Sequence, residues 1–132
     1  MNYLLDTHTL IWSITDPQQL SDTVKAILED IDNEIMVSAV SFWEIAFKQS
    51  IKKLTLDGLV PEDFPKAALE TGYRLIDLTG TTAASYHQLS AIHHRDPFDR
   101  MLIWQAMQNN FQLISKDEQV TKYADAGLNV IW

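Results

Sequence analysis

The sequence predicts an α/β fold in which helices cover both faces of a central parallel sheet of about five strands. Short apolar runs typical of buried strands alternate along the chain with stretches whose apolar residues recur at helical spacing. This alternation is typical of parallel sheets, in which helical crossovers connect the strands. Because no linker-like or low-complexity stretch divides the 132 residues, we expect a single domain over residues 1–132.

Five strands are predicted from short apolar runs, at residues 3–5, 35–37, 75–78, 112–115 and 128–131.

Six helices are predicted between the strands, where apolar residues recur every three or four positions, at residues 20–31, 39–51, 61–71, 82–92, 97–108 and 120–125. The helix from residue 97 has the clearest start, because Asp96 fits the N-cap and Pro97 the first helical position.

Composition excludes several classes of protein. The chain has no cysteine, which excludes disulfides, cysteine-ligated metal sites and a thiol nucleophile. No apolar run approaches the ~20 residues of a membrane span, and residues 1–6 lack the basic region of a signal peptide. We therefore expect a cytoplasmic protein that does not enter a membrane. The net charge of −8, from 18 acidic and 10 basic residues, argues against a broad surface for nucleic acid.

Five acidic side chains are expected to meet at one edge of the sheet. Asp6 directly follows the first predicted strand, Glu44 lies early in the helix after the second, and Asp117 lies just beyond the fourth. Asp96 and Asp99 lie at the start of the helix that leads into the fourth strand. Strand ends and helix starts share an edge in a parallel sheet. Because close carboxylates repel one another, a divalent cation such as Mg²⁺ or Mn²⁺ would stabilise the group.

Each acid also has a structural interpretation. Asp96 fits an N-cap, Asp99 suits the positive end of the helix dipole, and Glu44 stands at capping-box spacing from a serine. Asp117 could cap the helix that follows it. Asp6 is the hardest to explain structurally, because an acid directly after a buried strand needs a partner.

Four segments, at residues 3–8, 38–48, 94–100 and 113–117, carry a resemblance to a known family, and the Asp-Pro-Phe-Asp-Arg stretch is the most specific of their motifs. In this order and at these intervals they resemble the PIN domain, and within it the VapC-type toxins of bacterial toxin–antitoxin pairs. The resemblance implies an α/β/α sandwich and a Mg²⁺- or Mn²⁺-dependent endoribonuclease that hydrolyses RNA phosphodiester bonds. It identifies four residues as catalytic and metal-binding, namely Asp6, Glu44, Asp99 and Asp117.

Further residues are expected close to these acids. The resemblance places Asp96 as an additional acid and Ser115 as a small hydroxyl residue near the metal, and Thr7 follows the first acid directly. Arg100 and Lys48 are candidates either for contact with RNA phosphates or for ion pairs with neighbouring carboxylates.

The resemblance also implies protein partners, namely a homodimer and a VapB-like antitoxin that inserts a segment near the acidic site. The aromatic residues of the first half of the chain are candidates either for the core or for such a partner surface; they are Trp12, Phe42, Trp43 and Phe47. Two departures from the family pattern, a missing glycine within residues 51–54 and a large residue at Trp104, leave the acids untouched.

Alternative functions remain open at this stage. A catalytically inert PIN-fold binding module is disfavoured because all four acids are present. A receiver-type signalling domain is disfavoured because Asp77, the acid of the third strand, has no acidic companion nearby. A DNA nuclease related by fold would be expected to carry more acids and a larger basic surface. A histidine metal site is disfavoured because none of the histidines has zinc-site spacing; they are His8, His87, His93 and His94.

Overall fold

The computed structural model describes residues 1–90, 92–93 and 96–132, and its centre is a parallel five-stranded sheet. The strands are β1 (Asn2–Leu5), β2 (Glu34–Ser38), β3 (Arg74–Ile76), β4 (Gln112–Ile114) and β5 (Val130–Ile131). Their order across the sheet is β3-β2-β1-β4-β5, and every neighbouring pair is parallel. The predicted fold class is confirmed.

Seven α-helices are present in the described residues. They are α1 (Thr7–Thr15), α2 (Asp22–Glu29), α3 (Ala39–Ser50), α4 (Asp63–Thr71), α5 (Gly80–Ser85), α6 (Pro97–Asn109) and α7 (Glu118–Thr121). Short 3₁₀ turns occur at Pro17–Gln19, Tyr86–Gln88 and Lys122–Ala126.

The sheet separates two apolar cores, one on each face. Alternate residues of β1 point to opposite faces, so Leu5 lies in one core and Leu4 in the other, both fully buried. The first core includes Phe64 of α4, and the second includes Leu102 of α6. The arrangement is the α/β/α sandwich that the sequence predicts.

Several predicted helix boundaries are wrong. Helix α1 was not predicted at all, because residues 7–15 contain three threonines and no clear apolar period. The helix predicted over 82–92 begins at Gly80 and ends at Ser85, with a 3₁₀ turn to Gln88; its position Ala91 lies outside the described residues. The helix predicted from residue 120 begins at Glu118 and tightens into a 3₁₀ turn.

The direction of strand order changes beside β1, and this change determines where a site can form. The chain runs outward from β1 through β2 to β3, then returns to place β4 on the other side of β1. The backbone N–H of Asp6 continues this pairing, because it donates to the carbonyl of Ile114 at 3.1 Å. In open parallel sheets a ligand crevice forms at such a point, beyond the carboxyl ends of the strands. None of the helices in the described residues is long and apolar enough to cross a membrane.

Candidate active site

Asp6 lies at the junction of β1 and α1, where its side chain caps the helix. Its carboxylate accepts a hydrogen bond from the N–H of Thr9 at 2.8 Å and another from the hydroxyl of Ser115. Only 6% of the residue is exposed. Burial raises the pKa of Asp6, while the hydrogen bonds from Ser115 and Thr9 act in the opposite direction. A buried carboxylate is therefore fixed in position at the central strand end.

Glu44 is the most deeply buried acid, with 1% of its surface exposed. The hydroxyl of Thr7 donates to its Oε1 at 2.5 Å and lies 3.2 Å from the hydroxyl oxygen of Ser41. The ammonium of Lys48, one turn later on α3, forms an ion pair with Oε2. Both oxygens of Glu44 thus have a partner from the chain itself.

Asp96 and Asp99 come from the first turn of α6. Asp96 Oδ1 accepts from the N–H groups of Phe98 at 2.8 Å and Asp99 at 3.2 Å, so Asp96 is the predicted N-cap. Its Oδ2 lies 3.4 Å from the ammonium of Lys48. Carboxylate oxygens of Glu44, Asp96 and Asp99 all lie within 4.8 Å of one another. Asp96 therefore belongs to the acidic cluster as well as to the helix cap.

The electrostatics of this cluster are most unfavourable at Asp99. Burial, together with the negative charges of Glu44, Asp96 and Asp6, raises the pKa of Asp99 to about 8. Lys48 partly opposes them. Partial burial alone would lower the pKa of Lys48, but its hydrogen bond to Glu44 and the surrounding carboxylates raise it above the ordinary value.

A pocket of about 410 Å³ opens beside the acids at the carboxyl ends of β1 and β4. Its acidic side is formed by Asp6, Asp99 and Asp117, and its other side by His8, Trp12 and Lys116.

Asp117 is held in this pocket by the turn after β4. Its Oδ1 accepts from the N–H of Gln119 at 2.8 Å, so it caps α7. Its own N–H donates to the hydroxyl oxygen of Ser115 at 3.2 Å. Since Ser115 also bonds Asp6, one buried hydroxyl connects the acids that follow β1 and β4.

The structure brings all five predicted acids to one edge of the sheet, and it places Thr7, Ser115 and Lys48 in contact with them. Arg100 lies elsewhere. Its guanidinium donates to the hydroxyls of Tyr86 at 2.8 Å and Tyr123 at 2.7 Å, and to the carbonyl of Leu89 at 2.7 Å. Only 9% of Arg100 is exposed. The sequence left open a contact between Arg100 and RNA phosphates. The contacts within the protein instead support a structural role for this side chain. His94, one of the histidines considered from the sequence, lies outside the described residues.

The residues that line the pocket beside the acids were not firmly predicted from the sequence. His8 and Trp12 stand one turn apart on α1, and their rings lie 5.7 Å apart. Recognising Asp6 as an N-cap would have predicted this helix, and with it the common face of the two rings. Lys116 is the second residue after β4 and lies between Ser115 and Asp117, which were both predicted to lie near the metal.

The donor set of the acidic cluster fits a hard divalent cation. Among the described residues, Glu44, Asp96 and Asp99 are the one group of three candidate ligands whose atoms converge, and all three offer carboxylate oxygens. A cation there would relieve the repulsion that raises the pKa of Asp99. A histidine site gains no such support, since His93 contacts Asp125 at 3.0 Å instead.

The chain matches the family model for the PIN domain over residues 3–126. It belongs to the PIN domain family. This PIN domain is 26% identical over 129 residues to ribonuclease VapC22 of Mycobacterium tuberculosis. The aligned residues cover 98% of this chain and 97% of that relative.

Solved structures share the fold of this PIN domain over almost its whole length. VapBC2 from Rickettsia felis, bound to a DNA fragment from its promoter, matches with a TM-score of 0.70 and 17% identity over 99% of this chain and 98% of that one. DNA-bound VapBC from Salmonella typhimurium matches with a TM-score of 0.69 and 14% identity over 99% of this chain and 97% of that one. These similarities confirm the predicted PIN-like architecture.

Proposed function

We propose that this PIN domain is a Mg²⁺- or Mn²⁺-dependent endoribonuclease and the toxin of a toxin–antitoxin pair. The observation that carries the proposal is the convergence of Asp6, Glu44, Asp99 and Asp117 at the carboxyl ends of β1, β2 and β4. The similarity to ribonuclease VapC22 supports RNA as the substrate.

The acids have different roles in this proposal. Asp6 and Asp99 would hold the cation, because Asp99 belongs both to the pocket beside Asp6 and to the group of converging carboxylates with Glu44 and Asp96. When bound, a divalent cation lowers the pKa of a coordinated water and neutralises charge on the phosphate. Asp96 fixes the first turn of α6, so that Asp99 keeps its place beside Asp6.

Proton transfer from the attacking water is assigned to Asp117. It is half-buried and lines the pocket. Glu44 is less suited to this step, because Thr7 and Lys48 occupy its two oxygens. Glu44 instead completes the negative field that attracts the cation.

An exposed apolar surface runs along α3 and includes its C-cap residue Ile51. Three large apolar side chains spaced one turn apart are exposed there, namely Trp43 at 62%, Phe47 at 44% and Ile51 at 44%. Trp43 and Phe47 pack against Phe98 of α6 at centroid distances of 4.8 and 5.7 Å, directly beside Asp99. We assign this α3 surface to a VapB-like antitoxin segment, which would anchor apolar side chains there and cover the acids. The solved relatives named above are VapBC assemblies.

The nuclease proposal is tested with single-stranded RNA and the purified chain in Mg²⁺, Mn²⁺ or EDTA. Cleavage is expected with either metal and absent in EDTA. Asp6→Asn and Asp99→Asn should abolish cleavage without unfolding the protein, whereas Asp22→Asn, at an exposed position of α2, should not affect it. Full activity in both site variants would disprove the assignment, and cleavage of DNA alone would favour the related class of DNA nucleases.

The proposed toxin role and homodimer have separate tests. Expression in a bacterial host should stop growth, and Asp6→Asn should restore it. Light scattering on the purified chain should give the mass of two copies. A growth-inhibitory but monomeric protein would contradict only the homodimer.

A further inference from the structure

One side of the active-site pocket has a chemistry that cation binding does not use. Besides its three acids, the pocket is lined by His8, Trp12 and Lys116, which are two aromatic rings and an ammonium group. His8 and Lys116 are exposed and Trp12 is half-buried. We call these three residues the aromatic wall. Nothing in the metal-dependent chemistry above requires planar side chains at this place.

Packing fixes the aromatic wall in position. The rings of His8 and Trp12 lie 5.7 Å apart with their planes tilted by 49°. On another side, the ring of Trp132 lies 5.9 Å from that of Trp12 and meets it edge to face. Trp12 also packs against the apolar core on this face of the sheet. A ligand that enters the pocket therefore meets a rigid aromatic surface that needs little ordering on binding.

The positively charged side chain of the aromatic wall, Lys116, lies close to the ring of Trp12. The ammonium of Lys116 is 5.9 Å from the ring centroid of Trp12, within the range of a cation–π contact. In a chain of net charge −8, this ammonium gives the pocket a positive group in addition to its three carboxylates. The pocket thus offers separate places for a cation, a flat ring and an anion.

We propose that Trp12, flanked by His8, is a stacking site for one nucleobase of the RNA strand beside the scissile phosphate, and that Lys116 pairs with a phosphate next to that base. This inference rests on the proposed nuclease function, because the acids would fix the scissile phosphate through the cation. The volume of about 410 Å³ lies within the range of small-molecule sites. Stacking on an aromatic side chain is tolerant of sequence, since every base has a π-face.

A protein ligand is the competing occupant. An arginine side chain from a partner could stack on Trp12 and pair with the acids. Lys116 opposes this, because its ammonium lies over the same ring and would repel a guanidinium. The same ammonium attracts the phosphates that accompany a nucleobase. The charge of the wall therefore favours the nucleotide.

The test follows the indole N–H resonances of the four tryptophans by NMR in Mg²⁺, with the full chain and unreactive probes. The probes are the four nucleoside 5′-monophosphates, ribose 5-phosphate and the amide of arginine. We expect the nucleotides to shift the Trp12 resonance and to leave that of Trp43, which does not line the pocket, unchanged. Ribose 5-phosphate, which lacks the base, should leave the Trp12 resonance almost unchanged.

Paired variants separate stacking from structural support. Trp12→Leu keeps an apolar side chain but removes the aromatic face, and it should weaken nucleotide binding by about tenfold. Trp12→Phe should retain most of the affinity. Ile31→Ala, at a 96% exposed position after α2, is the control and should bind as the unchanged chain does. The indole resonances of the other tryptophans report in each case whether the variant is folded.

Three results would overturn the inference: equal responses to nucleotides and ribose 5-phosphate, a Trp12 response to the arginine amide alone, or unchanged nucleotide binding in a folded Trp12→Leu variant. RNA cleavage is measured separately on the same preparations. A chain that cleaves RNA without a nucleotide response at Trp12 refutes the stacking site and leaves the nuclease. A chain that shows the response but cleaves no RNA refutes the nuclease and supports the stacking site.

Discussion

The ammonium group of Lys48 forms an ion pair with the buried carboxylate of Glu44, one turn earlier on α3. The same ammonium lies 3.4 Å from Asp96 Oδ2 on α6. A single side chain therefore connects the helices that carry the acids and offsets part of their mutual repulsion. In the metal-free protein, Lys48 is an internal counter-ion for the cluster.

Replacing this counter-ion should destabilise the metal-free protein. Lys48→Met leaves Glu44 with 1% exposure and without its cationic partner, so we expect the free energy of unfolding in EDTA to fall by about 2–3 kcal/mol. Urea unfolding measures this loss. Lys66→Met removes a comparable i,i+4 pair whose side chains are 82% and 68% exposed, and it should change stability by less than about 0.5 kcal/mol. Equal effects of the two substitutions would contradict the role of Lys48.

The raised pKa of Asp99 predicts an unusual dependence of stability on pH. In the metal-free folded protein this pKa is about 8, far above its ordinary value. Between the two values the folded state keeps a proton that the unfolded state has lost, so stability falls as pH rises. The slope should stay below about 1.4 kcal/mol per pH unit, because Asp99 is partly exposed.

Urea unfolding in EDTA between about pH 5 and pH 8 measures this slope. Asp99→Asn should reduce it, and so should Mg²⁺, which favours the ionised carboxylates. Asp22→Asn, at an exposed position, should keep it. A slope unaffected by Asp99→Asn would show that the raised pKa of Asp99 is not the cause of the pH dependence.

Thr7 is expected to position Glu44. Thr7→Val keeps the shape of the side chain but removes the hydroxyl that donates to Glu44 Oε1, so the variant should lose about 1–3 kcal/mol of stability. RNA cleavage should also decline. Thr7→Ser restores the donor and should recover both properties. Failure of Thr7→Ser to recover either would assign the effect to packing of the methyl group instead.

Arg100 is expected to matter for folding and not for RNA contact. Arg100→Met removes its hydrogen bonds to Tyr86, Tyr123 and Leu89 and should destabilise the protein by more than about 3 kcal/mol. Arg100→Lys should recover little, because an ammonium cannot reproduce the planar fork of donors.

The matched control for Arg100 is Arg74→Met, since Arg74 pairs with Glu34 at 3.8 Å on the exposed surface. Thermal unfolding of these variants gives the comparison. A stable Arg100→Met protein that has lost only RNA affinity would reverse the assignment.

The sequence was most informative where local chemistry and tertiary structure agree. Asp96 and Pro97 mark the start of α6 through capping that is purely local, and the structure has that boundary. Helix α1 escaped prediction because its start depends on Asp6, a residue interpreted as part of the site and not as a cap. The same carboxylate caps α1 and lines the pocket, so either interpretation alone was incomplete.

Contacts between distant segments were beyond sequence reasoning. The two ion pairs of Lys48 and the burial of Arg100 among tyrosines depend on which side of α3 and α6 faces a neighbour. Residue spacing within one helix does not determine that. Placing the acids at one edge required only the parallel topology, which the alternation of elements predicts.

The position of β1 in the middle of the sheet determines when an active site can exist during synthesis. Strand β1 has one neighbour close in sequence, β2, where Leu4 lies opposite Met36. Its other neighbour is β4, near the opposite end of the chain, where Leu5 lies opposite Ile114. Until β4 and the turn that carries Asp117 have emerged from the ribosome, the part of the pocket that they form is missing. A growing chain in which Asp6, Glu44 and Asp99 are already translated therefore still lacks the fourth acid and the strand that positions it.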